Sequence, residues 1–156
     1  MNEFKHVFFD LDDTLWDFRK NSRETLLLLY DRFQLAKHGV SVQKLVGEFH
    51  VLNENLWVQL GNGQIQKKEL RQKRFPILFK KLGIEEDGLA ELFSKEYIKT
   101  CPTVGYLIEG AANILDYMNQ NYHVHVITNG FDEIAHQKIH HSGIQKFIKE
   151  VITSEK

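Results

Sequence analysis

Apolar positions along this chain follow two periods. His6-Val7-Phe8-Phe9 is a short unbroken apolar run, and it predicts a first strand over about Lys5 to Leu11. From Asn21 to Cys101 the pattern turns helical. Leu26, Leu29, Tyr30 and Phe33 recur at i, i+3, i+4, i+7, one stripe of an amphipathic helix. Val46, Phe49, Leu56, Trp57 and Leu60 form a second stripe, closed by Gly61-Asn62-Gly63. A third helix starts near Gln66, with Leu70, Phe75, Leu78, Phe79 and Leu82 on one face and Gly83 as its stop. Pro76 should kink that helix or split it. Leu89, Leu92, Phe93 and Tyr97 make a fourth stripe, ending before Pro102.

After Pro102 strands return. Ala111, Ile114, Leu115 and Met118 lie on one helix face. His123-Val124-His125-Val126-Ile127-Thr128 reads as a strand turned by Asn129-Gly130. A helix over about Asp132 to Ser142 closes on Gly143, and a last strand covers about Glu150 to Thr153. Strands alternating with helices predict an α/β fold with a parallel sheet and right-handed crossovers. The helical block interrupts that alternation and has its own apolar faces. The expected division is therefore a core of residues 1–16 and 103–156, with 17–102 as an inserted helical cap.

Composition narrows the classes. The chain has 156 residues, 42% hydrophobic and 26% charged, ordinary for a globular protein. A formal net charge of −1 gives no electrostatic basis for binding nucleic acid or a membrane surface. The single cysteine, Cys101, excludes an internal disulfide and suits a reducing compartment. No signal-peptide pattern and no bilayer-length apolar run is present, so the expectation is a cytoplasmic protein.

The chemistry concentrates where the first strand ends. Asp10-Leu11-Asp12-Asp13-Thr14 places two carboxylates two residues apart, followed by a hydroxyl. Carboxylates at the end of a buried strand are costly unless paired or bound to a metal. The carboxyl ends of parallel strands are also where open α/β sheets take ligands. Asp10 is positioned as nucleophile and metal ligand, and Asp12 reaches the same group from another angle. Val126-Ile127-Thr128-Asn129-Gly130 ends the next strand at the same edge. The Thr128 hydroxyl and the amides of Asn129 and Gly130 can bind phosphate oxygens at a helix N-terminus, and Gly130 allows close backbone approach.

These two motifs resemble those of the haloacid dehalogenase superfamily, and Phe9 to Trp16 is similar to its phosphatase branch, near the bacterial nucleotidase-like phosphatases with a helical cap. The resemblance implies a Rossmann-like core with an inserted cap. It implies a magnesium-dependent phosphohydrolase of small phosphorylated metabolites, nucleoside monophosphates foremost. Asp10 would form an aspartyl-phosphate, and Asp12 would act as acid and then base. Magnesium would be held by the Asp10 carboxylate and the Asp12 carbonyl. The dehalogenase branch lacks the second acid, so Asp12 favours phosphate esters.

By the same resemblance, a lysine and an acidic pair should follow Ile152-Thr153-Ser154-Glu155, and Lys156 comes too early to be that lysine. The fold is therefore expected to be incomplete at its C-terminus. The 156-residue chain alone is expected to be an inactive or impaired fragment, self-associating through the edge of its first strand. In the cap, Trp57 either stacks on a base or packs in the helical core, and Arg74 either faces a phosphate or is a solvated helix residue; the second option is preferred for each. Asp17 and Phe18 are a candidate hinge. His136 and His140, four apart, read as an exposed helix face. A non-catalytic phosphate- and metal-binding module is the alternative reading. A phospho-acceptor signalling domain is disfavoured by the large insertion after the acidic motif.

Overall fold

A computed structural model describes residues 4–155; Met1 to Glu3 and Lys156 lie outside the described residues. Among these is the last lysine weighed above. The chain divides into two compact units, one of residues 1–22 and 100–156, the other of residues 23–99.

The first unit is built on a parallel sheet in the order β1 (His6–Phe9), β2 (His123–Thr128), β3 (Glu150–Thr153). The register pairs Phe9 with Val126 and Thr128 with Thr153, so Asp10 and Thr128 emerge at the same end of adjacent strands. The first strand stops at Phe9 rather than at Leu11, because the acidic run leaves the ladder to form a turn. The crossovers are α5 (Ala111–Asn119) and α6 (Asp132–His141). They follow two successive parallel crossovers in one direction, which places both helices on one sheet face. Val124 and Val126 are wholly buried, whereas Phe8 and Ile127, on the opposite face, are 52% and 49% exposed. That second face also carries His6, His123 and His125, with a 2.8 Å contact between His6 Nδ1 and His125 Nε2. Lys149, with His6 and His125 after it, holds the His123 pKa below its usual value.

The second unit is helical. It holds the main length of α1 (Phe18–Arg32), then α2 (Val42–Gly61), α3 (Lys67–Leu82) and α4 (Leu89–Thr100), which reaches its boundary. Ser41 caps α2 by accepting the Lys44 N–H at 3.3 Å, and Gly83, at φ 74°, ends α3 in the left-handed region. Its core is aromatic: Phe75 lies 5.7 Å from Phe49, 5.1 Å from Phe93 and 5.0 Å from Tyr97, ring centre to ring centre.

One sequence expectation narrows here and another changes. Pro76 does not split α3, which is continuous from Lys67 to Leu82. Proline removes the donation to the carbonyl four residues back, at Gln72; that residue is exposed, so water can serve instead. Arg74 is not solvated. It is 8% exposed, donates from Nη1 to Asn53 Oδ1 at 3.0 Å, and lies 5.0 to 5.5 Å from the ring centres of Tyr97, Phe75 and Phe49.

Gly105 supplies a stability prediction. A Cβ there would stand 2.6 Å from the His141 carbonyl oxygen, a backbone atom that cannot swing aside. Gly105→Ala should destabilise the sheet unit by about 1–3 kcal/mol, the usual cost of overpacking. Chemical denaturation of the variant beside wild type measures it, and unchanged stability would show that this approach is looser than described.

Candidate active site

The acidic run is held as a tight turn rather than a loose loop. Leu15 and Trp16 both donate their N–H to the Leu11 carbonyl, at 2.9 and 2.8 Å. Asp13 adopts φ 57°, a left-handed conformation that Asp tolerates better than most residues, and its N–H reaches the Trp16 carbonyl at 2.8 Å. Trp16 also pairs with Leu107, and Ile108 N–H donates to the Leu15 carbonyl at 2.9 Å. Leu11, Leu15 and Trp16 are buried, at 0 to 1% exposure. Apolar side chains thus anchor the turn while its carboxylates face outward.

Each acid has a separate setting. Asp10 is exposed as a residue, and Thr14 Oγ1 donates to its Oδ2 at 3.3 Å. Partial desolvation of the carboxylate, then repulsion from Asp12 and Asp13, raises its pKa. The Leu11 N–H and the Thr14 hydroxyl pull the other way without cancelling that rise. Asp12 is half-buried, and its Oδ1 accepts from Lys138 Nζ at 2.6 Å. Asp13 Oδ1 takes the Phe18 N–H at 3.1 Å. Asp17, read from sequence as a hinge, is the N-cap of α1: its Oδ1 accepts the Lys20 N–H at 2.8 Å. Behind it, buried Asn21 holds the Tyr106 backbone from both sides, accepting its N–H at 2.9 Å and donating to its carbonyl at 2.8 Å.

Across the strand gap, Thr128 is buried and its Oγ1 accepts the Gly130 N–H at 3.0 Å. This acceptance leaves the hydroxyl hydrogen available for an outside oxygen. A Cβ at residue 130 would sit 3.3 Å from Thr128 Oγ1 and 3.9 Å from Asp12 Oδ2, so glycine keeps the space between these two groups open. The α6 N-terminus already has a carboxylate: Glu155 Oε2 accepts the Asp132 N–H at 2.8 Å, while Thr153 Oγ1 donates to Asp132 Oδ1 at 3.1 Å. Ser154 reaches the Asn129 carbonyl at 3.4 Å. The structure therefore brings Asp10, Asp12, Thr128, Asn129 and Gly130 to one sheet edge. Trp57 is half-buried on α2, and Arg74 lies in the aromatic core of the helical unit.

Sequence reasoning missed Lys138, Glu155 and Thr153. The two hydroxyl and carboxylate residues carried a weak signal, as side chains of the third strand's end in register with Thr128. Lys138 carried none, since a lysine flanked by histidines on a helix reads as solvent-facing. Among the described residues, no group of three or more His, Cys, Asp or Glu residues is placed to hold a metal, and no helix is long and apolar enough to cross a membrane.

Known proteins resemble this chain in sequence and in fold. The chain is 26% identical over 155 residues to YfnB of Bacillus subtilis (strain 168), named as a HAD-hydrolase; the match takes in 99% of this chain and 63% of that protein. It is 30% identical over 154 residues to the pyrimidine 5'-nucleotidase PynA of Streptococcus pneumoniae (strain ATCC BAA-255 / R6), over 97% of this chain and 62% of the relative. In structure it resembles magnesium-bound YfnB with a TM-score of 0.84 at 24% identity, over 99% of this chain and 66% of the other. It resembles L-2-haloacid dehalogenase of Xanthobacter autotrophicus with a TM-score of 0.70 at 16% identity, over 98% and 58% of the two chains. The chain thus spans a little under two thirds of the length of these relatives. The family model for haloacid dehalogenase-like hydrolases matches residues 4–156, and with the paired acids and the Thr128 edge it assigns the chain to that family.

Proposed function

We propose that the whole protein is a phosphohydrolase of small phosphorylated metabolites, nucleoside monophosphates foremost. The observation that carries this reading is Asp12, a second carboxylate whose Oδ2 borders the gap kept open by Gly130 beside the Thr128 hydroxyl. Displacement of halide needs no proton donor for its leaving group, whereas expulsion of an alkoxide does. The nucleotidase activity in the name of the pneumococcal relative supports the same choice.

In the first step an Asp10 carboxylate oxygen bonds to phosphorus, the bond from phosphorus to the ester oxygen breaks, and Asp12 gives that oxygen its proton. In the second step Asp12 takes a proton from water, the water oxygen bonds to phosphorus, and the aspartyl–phosphorus bond breaks to free phosphate and restore Asp10. Thr128 and the Asn129 amide hold the phosphoryl oxygens through both steps; the Gly130 N–H, expected from sequence to join them, is spent on the Thr128 hydroxyl, and Gly130 contributes the open space instead.

The hard oxygens of the Asp10 carboxylate and the Asp12 main-chain carbonyl suit magnesium, at a turn of three aspartates of which Asp12 alone is paired with the buried Lys138. Bound there, the ion would offset the negative charge gathered on carboxylate and phosphoryl group. The helical unit is proposed as the cap that selects substrate, with Trp57 on its α2 surface as a candidate contact. The formal net charge of −1 gives no electrostatic basis for nucleic acid or a membrane as partner, and a small phosphorylated substrate is proposed instead.

In the whole protein, Asp10→Asn should abolish phosphate release and covalent phosphoenzyme. Asp12→Ala should lower turnover by about 10²–10⁴-fold, the range for general acid–base catalysis. Phosphate-release kinetics with acid-quench trapping of phosphoenzyme measures both. Undiminished turnover in Asp10→Asn would end the nucleophile assignment. Phosphate binding without turnover in wild type would favour a binding module instead.

The raised Asp10 pKa gives a second test. A carboxyl whose pKa is higher folded than unfolded holds its proton more tightly in the native state. Stability therefore falls as pH rises through the two values, and the cost is complete above the folded one. In magnesium-free buffer Asp10→Asn should melt higher than wild type at neutral pH. The gap should close as pH drops below the ordinary value of 3.8. Added magnesium should stabilise wild type alone. A variant that melts no higher than wild type at any pH would refute the desolvation argument.

We also infer that the 156-residue chain on its own associates through β1. That strand pairs on one side only among the described residues, and Phe8 is 52% exposed. Such edges recruit strands. Sedimentation should show association weakened by Phe8→Lys; a monomer at every concentration would rule it out.

A further inference from the structure

We infer that Lys138 is a positioning residue for Asp12: it holds Oδ1 and so selects Oδ2 as the oxygen that exchanges the proton with substrate. This inference rests on the phosphohydrolase reading above. Lys138 projects from α6, upstream of β3, and so is distinct from the downstream lysine that the sequence resemblance leads one to expect.

Its setting is unusual for a lysine. The residue is 8% exposed, its Nζ lies 2.6 Å from Asp12 Oδ1, and the same Nζ sits 4.3 Å from the centre of the Trp16 ring. Lysines are almost never buried unless paired, because stripping water from an ammonium costs more than packing its stem returns. The pairing is therefore obligatory for this fold, and it falls on one oxygen of one acid.

Both partners are fixed to rigid backbone. The Lys138 carbonyl accepts Ser142 Oγ at 2.6 Å and Ser142 N–H at 3.0 Å, which secures the last turn of α6. Trp16, wholly buried, is tied into the acidic turn by Asp13 N–H and Leu11 carbonyl bonds. The ammonium is thus held between an immobile ring and the carboxylate. Asp12 cannot rotate freely about its terminal bond without losing a charge-assisted hydrogen bond. With Oδ1 taken, the oxygen facing Thr128 and Gly130 is Oδ2, on the side where the gap is open. Among the described residues Asp10 has no such cationic partner; the Thr14 hydroxyl and the Leu11 N–H serve it. Among the described residues, the buried ammonium of this edge is committed to the proton-transferring acid rather than to the nucleophile.

The role has a kinetic consequence that packing alone lacks. Orientation of Asp12 matters most when the leaving oxygen needs its proton. It matters little for p-nitrophenyl phosphate, whose leaving group departs as a stable anion. The ratio kcat/KM reports the path through formation of the aspartyl-phosphate, so it isolates the step in which Asp12 is the acid. Lys138→Met keeps an apolar stem over Trp16 while removing the charge.

In the whole protein, Lys138→Met should lower kcat/KM for a nucleoside monophosphate by about 10²-fold. For p-nitrophenyl phosphate the same variant should lose only a few-fold, and Lys138→Arg should restore most of the nucleotide activity. Added to Asp12→Asn, Lys138→Met should cost little more, because the two act as one unit. Equal losses on both esters, or a full extra loss in the double variant, would overturn the positioning role and leave Lys138 a packing residue. Failure of the wild type to hydrolyse either ester, or full activity in Asp10→Asn, would instead overturn the phosphohydrolase reading, and the inference with it.

Discussion

Everything at the sheet edge follows from crowding three carboxylates into four residues at the end of β1. Two like charges about 4 Å apart repel by roughly 4 kcal/mol even in the screened surroundings of a protein surface. A turn carrying Asp10, Asp12 and Asp13 would spring open unless each charge had somewhere to go. Here each is settled by a different means. Asp13 spends its carboxylate on the Phe18 N–H, at the start of a helix where negative charge is favoured. Asp12 is neutralised by Lys138. Asp10 keeps its charge near the surface with a hydroxyl beside it and a raised pKa. The remaining repulsion falls on Asp10, the acid proposed as nucleophile.

The parallel sheet makes this arrangement useful. Its register carries Thr128 to the level of the acidic turn without any long-range adjustment, since Phe9 pairs with Val126. The following Asn129-Gly130 turn then bends the Gly130 N–H back to the Thr128 hydroxyl. Glycine at this position is a matter of space rather than of conformation. Any side chain would project between Thr128 Oγ1 and Asp12 Oδ2. Trp16 joins the two halves of the frame by pairing with Leu107 on one side and lying under Lys138 on the other.

Much of this was legible in the sequence. The helices and the three strands fell where period and apolar runs placed them, because burial is periodic and local, but Leu92 and Ile114, drawn on apolar faces, are 55% and 38% exposed. Strand ends and polar partners were less accessible. The first strand stops two residues early because Leu11 turns inward to receive the N–H groups of Leu15 and Trp16, a tertiary choice with no local mark. The second stripe was drawn through Val46, yet Leu45 is the wholly buried residue, and Asn53 belongs to the same buried face. Asn53 broke the apolar pattern because its amide serves Arg74 across the unit, and neither residue reveals that need alone. Lys138 failed for the same reason: a buried ion pair is a property of two positions 126 residues apart in sequence. Hydrophobic periodicity identifies which face is buried, but it cannot identify a polar group buried by its partner.

The contrast between Asp10 and Asp12 is the strongest physical support for giving them different tasks. Two carboxylates two residues apart stand in different surroundings, Asp10 exposed beside a hydroxyl and Asp12 half-buried against an ammonium. The nucleophile of the proposed reaction has to keep an oxygen exposed for approach to phosphorus. Asp10 meets that condition. The acid–base group has to hold one orientation through both proton transfers, presenting the same oxygen to the departing alkoxide and to the incoming water. Asp12 meets that one, with an oxygen fixed to a buried ammonium and the other facing the open gap. Exchange of the two settings would leave a pinned nucleophile and a wandering acid. The order of the two aspartates along the chain is thus tied to the position of one lysine on the helix that follows the second strand.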